Sequence, residues 1–176
     1  YDKGGWRNRN RVKTASGLSW LSVPVSLAGK FGCQIDEVQI ANQTNWARKH
    51  LETIRQSYSK ARYFSEYFFD LEEILTRPWE SLVALDLALI EKFCFWLGIK
   101  AETYRVSNLP VSGERDNRLV KLCEYFDVDN YLTGEAARSY LKEDDFKKVG
   151  VTVEWQNYEH PVYPQLHGDF VSHLSV

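Results

Sequence analysis

The sequence predicts an α/β fold: a mixed or mostly parallel sheet with flanking helices, led by an N-terminal β-hairpin. Three observations carry this. Residues 7–25 hold two stretches with the period of two that marks paired strands. Ala47, Leu51, Ile54, Tyr58 and Ala61 recur at the i, i+4, i+7 spacing of an amphipathic helix. From about residue 103 onward, short strand-like runs alternate with helical ones, the order of βαβ units joined by right-handed crossovers.

The hairpin begins in Gly4-Gly5-Trp6-Arg7-Asn8-Arg9-Asn10-Arg11-Val12-Lys13, where an extended course puts Arg7, Arg9, Arg11 and Lys13 on one face. Same-face residues of a strand lie roughly 7 Å apart, close to the spacing of phosphates in a diphosphate, and charge-assisted hydrogen bonds from such a row suit that group. The row reads equally well as a charged edge strand that discourages aggregation. Ala15-Ser16-Gly17 supplies the turn, and the return strand over Leu18–Val25 ends or becomes an edge at Pro24, which has no N–H to donate. Glu37–Ala41 is a further short strand.

Asn42-Gln43-Thr44-Asn45 supplies N-cap side chains for a helix starting at Trp46. The aromatic cluster Tyr63-Phe64-Ser65-Glu66-Tyr67-Phe68-Phe69 reads as an irregular packed corner rather than a cofactor box. A second helix runs from Pro78, a favourable first-turn residue, to Leu97, stops at Gly98, and is apolar on most faces, which makes it central. Thr103–Val106 is a short strand and Ser107–Gly113 a loop. A helix with Leu119, Leu122, Cys123 and Phe126 on its inner face follows, then a strand at Asn130–Leu132, a helix opened by Gly134-Glu135 and running through Tyr140-Leu141, and a last strand at Val151–Trp155. In such sheets ligands gather at the carboxyl ends of strands, which directs attention to Ser107-Asn108, Thr133-Gly134 and the segment after Trp155.

With 176 residues, 44% hydrophobic content and no low-complexity stretch, the chain is the size of a single domain with a sizeable core. Its formal charge of −2, from 22 basic and 24 acidic residues, excludes a surface that is basic all over, and with it general nucleic-acid binding. Positive charge is local. Lys3, Arg7, Arg9, Arg11 and Lys13 face only Asp2 over the first 13 residues, which fits a small anionic ligand better than a duplex. Cys33, Cys94 and Cys123 form no metal-ligand spacing and are odd in number, so neither a zinc site nor a disulfide framework is indicated, and a reducing cytoplasm is the natural compartment. Cys33, after Gly32, reads as the most exposed thiol. Asp86, Glu91 and Lys92 break the most apolar run, so no membrane span is expected. The chain starts at Tyr1, contains no Met and stops at Val176 without a helix-stop signal, so both ends read as cut.

No Gly-x-Ser-x-Gly elbow, P-loop, Gly-x-Gly-x-x-Gly or His-Glu-x-x-His stands in the chain, and covalent catalysis is not indicated. His50 beside Lys49 reads as a general base whose pKa a neighbouring ammonium lowers, or as a solvated helix pair. His160-Pro161-Val162-Tyr163-Pro164-Gln165 uses two prolines to fix an extended course from which an imidazole, a phenol and an amide project. Ser107 and Thr133-Gly134 offer hydroxyl and N–H donors near helix starts. Asp144-Asp145 reads as a helix-start feature. Trp79 and Tyr67 read as exposed aromatics suited to an interface.

Six segments in order, the cationic row, Trp20-Leu21-Ser22-Val23-Pro24-Val25, Trp46-x-x-Lys49-His50, Arg118-Leu119-Val120-x-Leu122-Cys123, Tyr131-Leu132-Thr133-Gly134 and His160–Gln165, resemble the WbqC-like protein family over essentially the whole chain. Family members begin upstream of Tyr1 with a strand and a Pro/Gly-containing turn and continue past Val176. The resemblance implies a role in bacterial surface-polysaccharide (O-antigen) biosynthesis, with glycine or other aminoacyl transfer to a nucleotide- or lipid-linked sugar. Carried onto this chain, it implies catalytic roles for His50, His160 and Tyr163, anion binding by Arg9, Lys13 and Lys49, and a substrate contact from Gln165; Asn8, in the cationic row, and the helix-start hydroxyls of Ser107 and Thr133 are further candidate substrate contacts. The expected partner is a phosphorylated small molecule, such as a sugar nucleotide or an acyl or aminoacyl donor. A nucleotidyltransferase-like enzyme using Mg²⁺ and a non-catalytic module that presents a sugar nucleotide are the alternatives.

Overall fold

The computed structural model describes residues 1, 5–26 and 32–174, and for Arg115 its backbone alone. Asp2, Lys3 and Gly4 of the cationic start lie outside the described residues. The chain gathers into two compact units, Tyr1–Lys100 with Pro161–Val176, and Ala101–His160. It is a mixed α/β protein.

In the first unit, β1 (Arg9–Thr14) and β2 (Gly17–Ser22) form the expected antiparallel hairpin, with Arg9 opposite Ser22 and Arg11 opposite Trp20. Gly17 has φ +109°, a conformation open to glycine at low cost, so the chain reverses at Ala15-Ser16. Arg7 precedes the strand, in the turn that leads into it, so the alternating row that β1 aligns is Arg9, Arg11 and Lys13. Pro24 does interrupt the return strand: β2 ends at Ser22, and the two-residue β3 (Val25–Ser26) pairs instead with β4 (Gln39–Ile40) after a 3₁₀ turn over Ile35–Glu37.

Three helices complete the unit: α1 (Trp46–Tyr58), α2 (Phe64–Thr76) and α3 (Leu82–Trp96). The aromatic cluster is not an irregular corner. Phe64, Phe68, Leu71 and Leu75 follow helical spacing, and their burial against the core outweighs the strand preference of aromatic side chains. Pro78 is not a first-turn residue either. Ile40 N–H donates to Glu80 O and Leu82 N–H to Val38 O, which ties 80–82 beside β4 and delays α3 until Ser81, whose hydroxyl caps it by accepting from Ala84 N–H.

The core of this unit joins Val38, Ile40, Trp46, Leu51, Phe68, Ile74, Leu75, Leu82 and Leu85. Only the first half of α3 enters it: Leu82 and Leu85 are inaccessible, whereas Phe95 and Leu97 are largely exposed, so the helix is not central along its length. Cys33 is buried in this core rather than exposed. Trp79 is partly buried, packs on the same cluster and donates its indole N–H to Ile74 O, and Tyr67 is partly buried against Trp96; neither is an exposed aromatic.

The second unit is built on a parallel pair, β5 (Asn130–Gly134) and β6 (Thr152–Gln156), in register from Asn130 opposite Thr152 to Gly134 opposite Gln156. It also holds α4 (Arg115–Tyr125), α5 (Glu143–Lys147), and 3₁₀ turns over Val106–Asn108 and Glu135–Ser139. The expected strand at Thr103–Val106 is absent, and the expected helix from Gly134 to Leu141 is only the short 3₁₀ turn. The core here is Val120, Cys123, Ala137, Leu141, Phe146 and Val151. Phe126 is off it, exposed and packed on the Tyr104 and Tyr125 rings. Asp144 and Asp145 do sit in the first turn of α5, where they pair with Lys147 and Lys148.

Candidate functional site

The most distinctive surface of the first unit is the Arg9 end of the hairpin. The pleat aligns Arg9 and Arg11, and the cross-strand position opposite Arg11 is Trp20. Both guanidiniums lie over that indole, at 4.4 Å and 5.6 Å from its centroid. Trp20 remains about half exposed, and Trp6, with the Arg7 guanidinium 5.9 Å from its ring, is 78% exposed. The result is a polar, aromatic ledge with cations held in place by stacking.

His50 reaches this ledge from α1. Its Nε2–H donates to the carbonyl of Ser22, the residue opposite Arg9, at 3.2 Å, and its ring meets Trp46 edge-on. A carbonyl can only accept, so the proton is on Nε2 and the lone pair on Nδ1. Burial lowers the pKa of His50 below its ordinary value, with the Ser22 hydrogen bond opposing that shift in part. The imidazole is therefore neutral at physiological pH. The expected influence of Lys49 is not the cause: desolvation is, and Lys49 itself is an exposed residue on α1.

Asn8 joins the hairpin to the chain that follows it. Its backbone carbonyl accepts from Val23 N–H, and its side-chain amide donates to Val23 O at 2.8 Å. Its amide thus braces the base of the ledge.

Lys13, at the other end of the same strand face, has a different setting. It is 6% exposed, and its ammonium donates to Gln165 Oε1 at 3.3 Å, to Gly168 O at 3.0 Å and to Asp169 O. All three N–H donors are used. Gln165 in turn accepts from Val171 N–H and donates to Val171 O, closing a side-chain-to-backbone loop in the C-terminal segment. Tyr58 accepts from Lys13 N–H, its phenol is raised in pKa chiefly by burial, and it lies within the electrostatic reach of Tyr163. Tyr163 packs edge-on against Phe170, and His167 hydrogen-bonds to Ser57 O at 2.7 Å. Lys13, Tyr163 and Gln165 are thus brought together, as a strap holding residues 163–171 to β1 and α1.

The remaining candidates belong to the second unit. Ser107 is exposed and donates to Asn108 Oδ1 at 3.5 Å; Thr133 is on β5 in register with Trp155; His160 packs edge-on against Tyr158. Among the described residues no cluster of three His, Cys, Asp or Glu side chains has the arrangement of a metal site, and no helix is long and apolar enough to cross a membrane.

Sequence reasoning missed Asp86. It entered that reading only as a break in an apolar run, yet it sits one helical turn after the inaccessible Leu82, and burial pushes its carboxyl up to about 6. The available signal was the pattern itself: a lone carboxylate at i+4 from a core leucine.

A mixed α/β protein with a cation–aromatic hairpin and a neutral histidine beside it is the class these features define. The chain belongs to the WbqC-like protein family, whose model matches residues 1–176. It is 34% identical over 178 residues to the uncharacterized protein Rv1507c of Mycobacterium tuberculosis (strain ATCC 25618 / H37Rv), an alignment covering all of this chain and 77% of that protein. No solved structure matches the chain.

Proposed function

We propose that this protein is a transferase of bacterial surface-polysaccharide biosynthesis, moving an acyl or aminoacyl group, glycine among them, to a nucleotide- or lipid-linked sugar in the cytoplasm. The reading rests on family membership and above all on one observation: Arg9 and Arg11 are stacked on a single exposed indole, with a neutral His50 hydrogen-bonded to the residue opposite Arg9. Guanidiniums bind phosphate oxygens through paired N–H donors, and an exposed indole offers a face on which a base or sugar ring can lie. His50, unprotonated at neutral pH, accepts the proton of an attacking hydroxyl or amine. Lys49 adds positive charge from the same helix. Lys13, its N–H donors already used, contributes its charge and holds Gln165 in place.

The test is thermal stability of the protein against sugar nucleotides, nucleoside triphosphates, coenzyme A thioesters and glycine, repeated with Arg9→Ala. Selective binding raises the midpoint by mass action. The expected result is a rise with one phosphorylated class that disappears in Arg9→Ala, followed by product formation that His50→Gln slows more than it weakens binding. Binding without product in any assay supports the presenting module instead, and pyrophosphate release with Mg²⁺ supports the nucleotidyltransferase alternative. No shift with any ligand defeats the anion site.

A further inference from the structure

Exposed apolar side chains occur in both units, and several of them stand beside acids. Tyr104 donates to Glu102, Leu132 is opposite Glu154 across the parallel pair, and Phe95 lies by Lys92, which is itself paired with Asp70. The hairpin is different. Trp6, Leu18 and Trp20 are 78%, 48% and 52% exposed, and no Asp or Glu occurs in the sequence from Lys3 to Ile35, although 24 acids are spread over the 176 residues. Exposed apolar groups gathered on one surface mark a place where something docks, and a surface with cations and no acids selects an anionic partner.

Strand pairing brings these groups together. Arg11 is opposite Trp20 and Lys13 opposite Leu18, so Leu18 and Trp20 share the face of Arg9 and Arg11. Trp6 O accepts from Arg9 N–H at 3.2 Å, a turn that keeps Trp6 at the Arg9 end, and the Arg7 guanidinium is 5.9 Å from the Trp6 ring. Lys13 is spent on the C-terminal segment, so the cations of this surface are Arg7, Arg9 and Arg11. A small anion would use those cations and leave Trp6 and Leu18 without a role. Nucleic acid also answers to arginine and indole, but it offers no apolar setting to Leu18 or to the exposed, uncharged turn Ala15-Ser16-Gly17. A bilayer surface satisfies all of them: indoles settle at the level of the headgroups, leucine reaches the acyl boundary, and guanidiniums meet lipid phosphates.

We propose that this hairpin face docks on an anionic lipid bilayer, with Trp6, Trp20 and Leu18 at the headgroup level and Arg7, Arg9 and Arg11 on lipid phosphates. The docking stands on the hairpin alone. Its consequence for chemistry rests on the transferase reading above and narrows it: the acceptor is the lipid-linked sugar, whose phosphate is met at the membrane surface by the same guanidiniums, with His50 beside them. The attachment is reversible and sensitive to salt. Each guanidinium near such a surface is worth about a fivefold change in partition, and the attraction falls off within a Debye length of about 8 Å at physiological ionic strength.

The experiment is co-sedimentation of the protein with vesicles of phosphatidylcholine alone and of equimolar phosphatidylcholine and phosphatidylglycerol, at low salt and at about 0.5 M salt. Quenching of tryptophan fluorescence by bromine-labelled lipid is the second readout. The expected result is binding to the anionic vesicles that salt reverses, and that weakens roughly tenfold or more in Arg7→Gln/Arg11→Gln. Trp6→Ser/Leu18→Ser also loses binding, whereas Trp6→Phe still binds and loses part of the quenching. No sedimentation with anionic vesicles overturns the proposal, as does equal binding to neutral ones or binding that either double variant leaves unchanged. Salt-sensitive binding of an RNA oligomer without vesicle binding overturns it in favour of a polyanion face. Failure with vesicles leaves the transferase reading standing with the nucleotide-linked acceptor, because stabilisation by a sugar nucleotide in solution needs no bilayer. Failure of every soluble ligand, with vesicle binding intact, removes that reading and keeps the docking.

Discussion

Arg9 and Lys13 stand on the same face of the same strand, four residues apart, and the protein treats them as opposites. Arg9 lies at an aromatic ledge with a partly exposed surface; Lys13 is buried, its ammonium spent on Gln165, Gly168 and Asp169. Periodicity places both cations on one side of the sheet, but it is silent about what covers that side. The segment 163–171 crosses the Lys13 end and converts a cation into a clasp. At the Arg9 end, Trp20 and His50 line the surface, and the guanidinium lies over a half-exposed indole.

Removing the clasp gives the largest effect. Lys13→Met leaves three oxygens without their donor, and a loss of about 2–3 kcal/mol is expected in urea unfolding, since buried charge-assisted hydrogen bonds are costly to delete. A loss below about half a kcal/mol, the range of surface substitutions, would mean that the two ends of the strand are alike after all.

Asp86→Asn goes the other way. The folded carboxyl titrates at about 6 against 3.8 in an unfolded chain, so the folded state holds its proton longer. Below 3.8 the group costs nothing; as pH rises through the window from 3.8 to 6 the unfolded state ionises first and stability falls, and above 6 the full cost is present. The shift corresponds to about 3 kcal/mol at most, and because the side chain is only partly buried, solvent screening reduces it, so Asp86→Asn is expected to stabilise the protein by about 1–2 kcal/mol at pH 7.5, with the gain gone at pH 3.5. Denaturant curves at the two pH values check both size and sign.

His50 contributes a smaller and opposite dependence. Its folded pKa is below 6.5, so above 6.5 it is neutral in both states, and as pH falls below 6.5 the unfolded state takes up a proton that the folded state refuses. Stability lost on acidification in that range should be flatter in His50→Gln, by less than about 1 kcal/mol. Histidine ring signals in NMR give the midpoint directly, and one at or above 6.5 would contradict the buried setting.

Arg9→Ala should be the mildest in stability, under about 1 kcal/mol, because a cation–aromatic contact on a half-exposed indole is weak. It sharpens the contrast with Lys13→Met, in which a buried cation is removed. Trp20 fluorescence should shift in Arg9→Ala even where the unfolding midpoint does not.

Much of the architecture was legible because it is written in local chemistry. The hairpin follows from alternation and Gly17, the end of β2 from Pro24, α1 from its apolar stripe, and the parallel pair from the order of runs after residue 103. The candidate site was legible in part, since Arg9 and His50 belong to recognisable segments. Three elements were not. The aromatic start of α2 carries strand-like residues whose helical state is settled by Phe68, Ile74 and Leu75 entering the core. The start of α3 is set by backbone bonds from residues 80–82 to residues 38–40, and such long-range pairing leaves no local trace. Asp86 was hidden among leucines because its raised pKa comes from burial, which neighbouring residues in the sequence do not reveal.

Residue order alone was enough for what depends on near neighbours: an α/β chain, a cationic strand face, WbqC-like membership, and a histidine one residue after a lysine on a helix. Which cation is buried, why His50 is neutral, and which carboxylate is left without a donor were decided by tertiary structure. Dielectric, solvent access and hydrogen-bond partners are set by segments that meet only when the chain folds.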